Sequence, residues 1–239
     1  MPSIELTQPR VIAIDDHGKK YQLTVARITQ KQWQRYFDAI QSTSENQGGK
    51  RVDSFDSTSG RLALVESALI DAKGYTSREP ITSISEWQKK LPLSHRAGVG
   101  SALTDVSRSE AEGDAITLGR ETIYLDAVWS ADSNGIMRKF RGLRHSFQTP
   151  TAEQQHRYSR DASRSVLVGG ARNGKTRWLG PQSTLLALYD ELVLEVDGYT
   201  VNGEVLDRDG AIANMDGYHK VAAAAELFSP AAPDVSEVE

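Results

Sequence analysis

One segment occurs twice in this chain, and the recurrence limits the fold more than any other feature. Residues 62–76 read LALVESALIDAKGYT and residues 186–200 read LALYDELVLEVDGYT, 124 positions apart. Leu62, Ala63, Leu64, Gly74, Tyr75 and Thr76 are identical to Leu186, Ala187, Leu188, Gly198, Tyr199 and Thr200, while Glu66/Asp190 and Asp71/Glu195 keep their charge. The same offset carries His95-Arg96 onto His219-Lys220 and Leu103 onto Leu227, and it turns Gly98-Val99-Gly100-Ser101 into a run of alanines at 222–225. Upstream, the stretch from Thr29 to Tyr36 matches Thr151 to Tyr158 at an offset of 122, and Gly18 matches Gly135 at 117. Ordered matches whose offset grows slowly, as loop insertions would make it, point to an internal duplication. The expected organisation is a first repeat over 1–106, a linker over 107–120, a second repeat over 121–228 and an acidic, disordered tail over 229–239.

Each copy is expected to open on a β-hairpin. In the first, Val11-Ile12-Ala13-Ile14 and Tyr21-Gln22-Leu23-Thr24-Val25 flank Asp15-Asp16-His17-Gly18. In the second, residues 122–129 and 136–140 flank Ser133-Asn134-Gly135, and Asn-Gly tolerates the positive φ values of a tight hairpin turn. A helix with capping-box spacing follows each hairpin, at Thr29-Gln30-Lys31-Gln32 and at Thr151-Ala152-Glu153-Gln154. Trp33, Phe37 and Ile40 give the first of these an apolar face, while its polar counterpart is expected to lie outside the core.

The repeated LAL segments predict a second helix in each copy, with glycine as the left-handed stop and tyrosine just past it. For Leu192 to Val196 a strand is the alternative; the duplication favours helix in both copies. Further on, Ser83-Ile84-Ser85-Glu86 has capping-box spacing before Trp87, and a helix is expected from Ser94 to Val106. Because the second copy has alanines where Gly98 and Gly100 stand, close helix packing is favoured there over ligand binding. The counterpart, from Asp207 to Phe228, is expected to break near Gly217. The polar run over 42–60 reads as a mobile loop. The fold class is therefore α+β and internally duplicated, each half a β-hairpin followed by three or four helices.

Charge and composition narrow the function. The 28 Lys and Arg against 32 Asp and Glu give a net charge of -4, which disfavours general nucleic-acid binding and a polybasic membrane surface. With no cysteine, disulfides, thiolate nucleophiles and Cys-ligated metal sites are excluded. The opening MPSIELTQPR lacks the basic and apolar regions of a signal peptide, and no apolar run is long enough to span a bilayer.

Three constellations could carry chemistry or binding. Gly169-Gly170-Ala171-Arg172-Asn173-Gly174-Lys175-Thr176 satisfies GxxxxGK[ST], in which loop amides cradle phosphates, Lys reaches them and Thr holds Mg²⁺. Gly180-Pro181 interrupts the helix that should follow, so a basic loop is the preferred reading. His95 and His219 occupy equivalent positions and would need nearby carboxylates to form an acid–base or metal site; packing histidines are the simpler reading. Arg138-Lys139-Phe140-Arg141-Gly142-Leu143-Arg144-His145 is a basic, aromatic-bearing strand. Strict alternation sends Arg138, Phe140, Gly142 and Arg144 to one face, and the ribbon can meet phosphates or acidic neighbours. Net acidity favours the neighbours.

The order of a short hairpin, then RITQKQWQRYFDAI or FQTPTAEQQHRYSRDA, then the repeated LAL segment resembles small proteins of tailed-phage morphogenesis, in particular tail assembly chaperones and tail or neck components. The resemblance covers roughly 10–103 and 120–227 and carries over no functional residue. It implies a non-catalytic protein, in the virion or host cytoplasm, that contacts tube, tape-measure or neck components or copies of itself, with no cofactor or metal. The contact candidates are Arg138, Lys139, Phe140, Arg141, Arg144, Trp33, Tyr75 and Tyr199. A nucleic-acid-binding or regulatory module using 138–145, and an enzyme with a site near His95/His219 or 169–176, are the alternatives.

Overall fold

The fold comes from a computed structural model, which describes residues 3–47, 50–76, 88, 90–109, 117–167, 176–178 and 180–229. The segment Ser83 to Trp87 and the tail beyond 229 fall outside them. After a short β1 (Ile4–Glu5), the first half runs β2 (Arg10–Asp16), β3 (Lys19–Val25), α1 (Gln30–Ala39), β4 (Gln41–Gln47), β5 (Lys50–Asp56), α2 (Thr58–Ala68), β6 (Leu69–Lys73) and α3 (Leu93–Leu103). Then β7 (Val106–Arg108) leads to β8 (Arg120–Ala131), β9 (Met137–Gln148), α4 (Ala152–Ala162), β10 (Ser165–Leu167), β11 (Thr176–Trp178), α5 (Gln182–Leu192) and β12 (Val193–Asp197). The described chain closes with β13 (Tyr199–Val201), β14 (Glu204–Val205), α6 (Arg208–Asn214) and α7 (Gly217–Phe228). The architecture is a mixed α+β fold of several helices and largely antiparallel sheets.

Local sequence accounts for the hairpins and for the helices that follow. Between β2 and β3, His17 and Gly18 both have positive φ, and the Gly18 amide donates to Asp15 Oδ1 at 3.0 Å. Between β8 and β9, Asp132 Oδ1 accepts from the amides of Asn134 and Ile136. Both expected capping boxes form: Thr29 Oγ1 accepts from the Gln32 amide and Gln32 Oε1 from the Thr29 amide, and Thr151 and Gln154 repeat the exchange. Each satisfies two otherwise orphaned helix donors.

The repeated segment folds differently from expectation. Its first part is helix in both halves, but the chain leaves the helix at Leu69 and Val193 and continues directly as β6 and β12. Gly74 and Gly198, with φ of +92° and +89°, therefore end strands, not helices. Leu69 and Val193 are buried and pair with Val25 and Phe147 of β3 and β9, so sheet formation overrides the helical propensity of an Ala/Leu-rich run. The strand alternative raised for 192–196 is correct, and the same change from helix to strand occurs at Leu69–Lys73. A second departure lies at 42–60, where β4 and β5 pair along seven residues each in place of the expected loop. Val106 belongs to β7, not to the preceding helix.

The two spans share pairings down to an irregularity. Val25↔Leu69, Thr24↔Asp71, Leu23↔Ala72 and Gln22↔Lys73 run with a shift between the first two pairs. Phe147↔Val193, Ser146↔Glu195, His145↔Val196 and Arg144↔Asp197 run with the same shift in the same place.

Among the described residues two apolar clusters form, one per half, and they touch. The first centres on Leu23, Val25, Trp33, Leu64, Val65 and Val99, with Tyr218 and Leu186 of the second half packed against it. The second centres on Leu125, Phe147, Leu188, Tyr189 and Tyr199 and takes in Ile4 and Leu6 from the start of the chain. Glycines admit two close approaches. A Cβ at Gly100 would lie 2.6 Å from the Arg61 Cβ, which agrees with packing as the reason for that glycine; Gly98 faces open space. A Cβ at Gly217 would lie 2.7 Å from the Trp33 ring, so Gly217→Ala is expected to lower stability by about 1–3 kcal/mol, measured by denaturant unfolding.

Candidate functional site

Each half fastens its last long helix to the strand–turn that precedes it through a Tyr–His hydrogen bond. The Tyr75 hydroxyl lies 2.7 Å from His95 Nδ1, and the Tyr199 hydroxyl 2.8 Å from His219 Nδ1. Beside each sits an ion pair at matching positions, Arg96 to Glu66 at 2.7 Å and Lys220 to Asp190 at 2.6 Å. Lys220 is almost fully buried; its ammonium also donates to the Ile212 carbonyl at 2.6 Å, which compensates the desolvation of the charge. Neither Lys220 nor Asp190 stands out in the sequence except as the counterpart of Arg96 and Glu66.

Beyond this common core the halves diverge. In the first, His95 Nε2 lies 3.1 Å from the half-exposed Asp16 carboxylate, with the Tyr21 ring against the imidazole. Burial, reinforced by Tyr21 and Asp16, pushes the Tyr75 hydroxyl up to about 12. In the second, the contact extends into a buried relay. His145 Nδ1 lies 3.0 Å from the Tyr189 hydroxyl and His145 Nε2 lies 2.9 Å from the Tyr199 hydroxyl, which in turn reaches His219. Neutral imidazoles fit this chain in either direction: with His145 donating from Nε2, Tyr199 donates to His219 and Tyr189 donates to His145 Nδ1. Burial holds His145 down to about 3; burial, with Arg10 and His145 nearby, holds His219 well below the ordinary histidine range. Both tyrosine hydroxyls are pushed up by burial. A closed chain of neutral groups holds a core together.

Arg10 crosses from β2 into the second half. Its guanidinium stacks 3.8 Å over the Trp129 ring and donates to the carbonyls of Trp129, Val128 and Ala102. Asp216 lies 3.9 Å away. Burial lowers Arg10 to about 10, opposed by Asp216, so it stays charged at neutral pH; burial raises Asp216, opposed by Arg10. Composition and spacing carry no sign of this buried arginine.

The structure distributes the contact candidates unevenly. Trp33 and Tyr199 are 0% and 1% exposed, and Phe140 is also buried, so these three are core residues and offer no contact surface. Tyr75 is half-buried and held by His95. Along β9 the expected alternation breaks at Arg141-Gly142, which together oppose Asp126; the Gly142 amide donates to Asp126 Oδ1, and Gly142 takes φ of +66°. This bulge turns both Phe140 and Leu143 into the core. Arg138, Lys139 and Arg141 are exposed, and Arg144 is half-buried. Asp197 takes Arg144 at 2.8 Å with Glu195 beside it, and Asp126 lies 3.9 Å from Lys139. Much of the ribbon's charge thus meets carboxylates of its own chain.

Of the GxxxxGK[ST] match, 169–175 lie outside the described residues; Thr176 opens a strand where a phosphate-binding loop would begin a helix. Among the described residues no group of three or more His, Asp or Glu is placed to hold a metal ion, and no helix is long and apolar enough to cross a membrane.

A different kind of site is formed by backbone. Strands β10, β11, β4 and β5 make one four-stranded sheet in that order, so the second half's strand pair joins the first half's. The joint is antiparallel, with Thr176↔Ser44, Arg177↔Thr43 and Trp178↔Ser42. Polar sequences enter a sheet here because their backbone groups find partners across the joint. Comparison of the chain with protein-family models, with curated proteins and with solved structures finds no match.

Proposed function

We propose that this chain is a non-catalytic, phage tail-related protein, made of two copies of one unit, that works through protein–protein contacts in tail structure or assembly. The observation that carries the reading is the joint between β11 and β4, where one unit extends the sheet of the other by strand addition, a way proteins bind neighbours. The shared register and shared irregularity of β3·β6 and β9·β12 support two copies of one unit, and the sequence resemblance supports the tail context. The histidines serve as buried fastenings in this reading, and two cations of the ribbon, Lys139 and Arg144, lie beside carboxylates of the same chain. Tube, tape-measure or neck components, or further copies of the chain, are its partners, in the virion or the host cytoplasm.

Native purification from producing cells and particles, with light scattering for mass and mass spectrometry for partners, tests this. Retention in a particle or capture of a tail component is the expected result. A clean monomer with neither overturns it.

A further inference from the structure

The order of strands in the mixed sheet carries directional information. Each half supplies a leading strand (β4 or β10) and a trailing strand (β5 or β11), and the sheet runs leading–trailing–leading–trailing. A twofold between the halves would set like beside like at the joint; instead the trailing β11 meets the leading β4. A head-to-tail contact of this kind uses a different surface on each partner and leaves one of each unused. Among the described residues the unused ones are the outer edges of β10 and β5, a leading and a trailing strand, the same two kinds that already meet inside the chain.

We propose that β5 of one chain pairs antiparallel with β10 of a second copy, repeating the internal joint, so that chains add head to tail into a ring or a helical array. This rests on the reading of the two halves as copies of one unit.

The internal joint dictates the register. Thr43↔Ser54 in the first half corresponds to Ser165↔Trp178 in the second, which aligns the leading strands at an offset of 122 and the trailing strands at 124. Carrying Arg177↔Thr43 and its neighbours across by these offsets sets Val52 opposite Val166, Asp53 opposite Ser165 and Ser54 opposite Arg164 of the next copy. Ser165 and Arg164 are exposed.

The helices flanking the joint agree. Inside the chain, α1 buries Trp33 against Gly217 at the start of α7, and Gln34 Nε2 donates to Ser183 Oγ at 2.9 Å. The counterpart of α1 is α4, which has no buried residue, and Gln155, at the position of Trp33, is exposed. The counterpart of Gly217 is Leu93, a large apolar residue left 57% exposed. A large side chain on α1 fits a glycine on α7; a smaller one on α4 leaves room for the leucine on α3. The face bearing β10 and α4 thus complements the face bearing β5 and α3.

The chain has no cysteine, so engineered thiols report contacts without background. Directly opposed residues of antiparallel strands have Cα atoms about 4.5–5.5 Å apart, within the span of a disulfide. One chain carrying Asp53→Cys is mixed with another carrying Ser165→Cys under mild oxidation, and Ser54→Cys is mixed with Arg164→Cys; consecutive pairs alternate in hydrogen-bonding type, so one suits a disulfide. His17→Cys, at an exposed hairpin tip, mixed with Ser165→Cys gives the collision rate. The expected result is at least about tenfold more cross-linked dimer from a matched pair than from the control, and a ladder from the chain carrying both 53 and 165. Leu93→Glu, an exposed substitution, should abolish the ladder while leaving the melting temperature within a few degrees. Matched pairs no better than the control, or a ladder indifferent to Leu93→Glu, overturns the proposal. A ladder from a chain that enters no particle sinks the tail reading and keeps this one; capture of a tail component without a ladder does the reverse.

Discussion

Trp33→Ala is expected to destabilise the protein by about 3–5 kcal/mol, a large share of the roughly 5–15 kcal/mol of a typical domain. The indole is fully buried in the first half's cluster and touches Tyr218 and Gly217 of the second half. It stacks on Phe37, meets Tyr36 edge-on, and lies 5.7 Å from the Tyr218 ring with Gly217 against its face. Removing it opens a cavity at the seam, so the loss falls on contacts between the halves as well as on one core. Urea unfolding by circular dichroism measures the change. A loss under 1 kcal/mol would mean that the halves are held by their strands alone. Trp33→Phe, which keeps an aromatic against Gly217, should recover part of the difference.

The second large effect is a loss of stability in mild acid, beginning near pH 6.5. In the folded protein His145 binds its proton only near pH 3 and His219 also binds well below the ordinary range, because burial disfavours both imidazolium forms. In the unfolded chain both titrate near 6.5. The unfolded state therefore takes up more protons as pH falls, and stability, complete above the unfolded value, declines below it. For His145 alone the loss by pH 4.5 is about 2.7 kcal/mol, from about 1.36 kcal/mol per pH unit. Asp216 acts in the opposite sense, since burial raises its carboxyl and stability is regained as it protonates. Glu5, whose carboxyl burial raises but hydrogen bonds from Thr7, Gly203 and Asn202 together bring down to about 2, adds its loss only below the ordinary glutamate range near 4.5. Unfolding free energy measured from pH 7.5 to 4.5 should fall with a slope approaching two protons. A flat profile above pH 5 would show that the relay is open to water.

Short-range chemistry made the hairpins and the capped helices readable. Asp132 and Asn134-Gly135, and the Thr–Gln pairs at 29/32 and 151/154, bond within a few residues of themselves. The features the sequence hides depend on distant partners. The LIDAK and VLEVD stretches become strands because β3 and β9 lie alongside them, a partner that neither stretch contains. The polar residues of β4 and β5 carry no apolar alternation, and the strand pair of the other half makes the sheet. Along β9, Gly142 is the one local mark of the bulge that redirects Phe140 and Leu143. The positions of His95 and His219 are legible in the sequence as a matched pair, and Tyr75 and Tyr199 as a matched pair beside the glycines; only the folded chain joins the two pairs.

The first strand of the chain makes the halves inseparable by any single cut. Ile4 and Glu5 run parallel to Tyr199 and Thr200, and the amides of Ile4 and Leu6 donate to the carbonyls of Gly198 and Thr200. Residues from the very start of the chain therefore finish the core of the second half, where Ile4 and Leu6 are buried. Severing the chain between the two halves would send this strand away with the fragment that does not hold its partner β13. The first piece would carry an idle apolar ribbon and the second an open groove, each the other's missing part. Two such fragments, made separately and mixed, have a built-in reason to find one another.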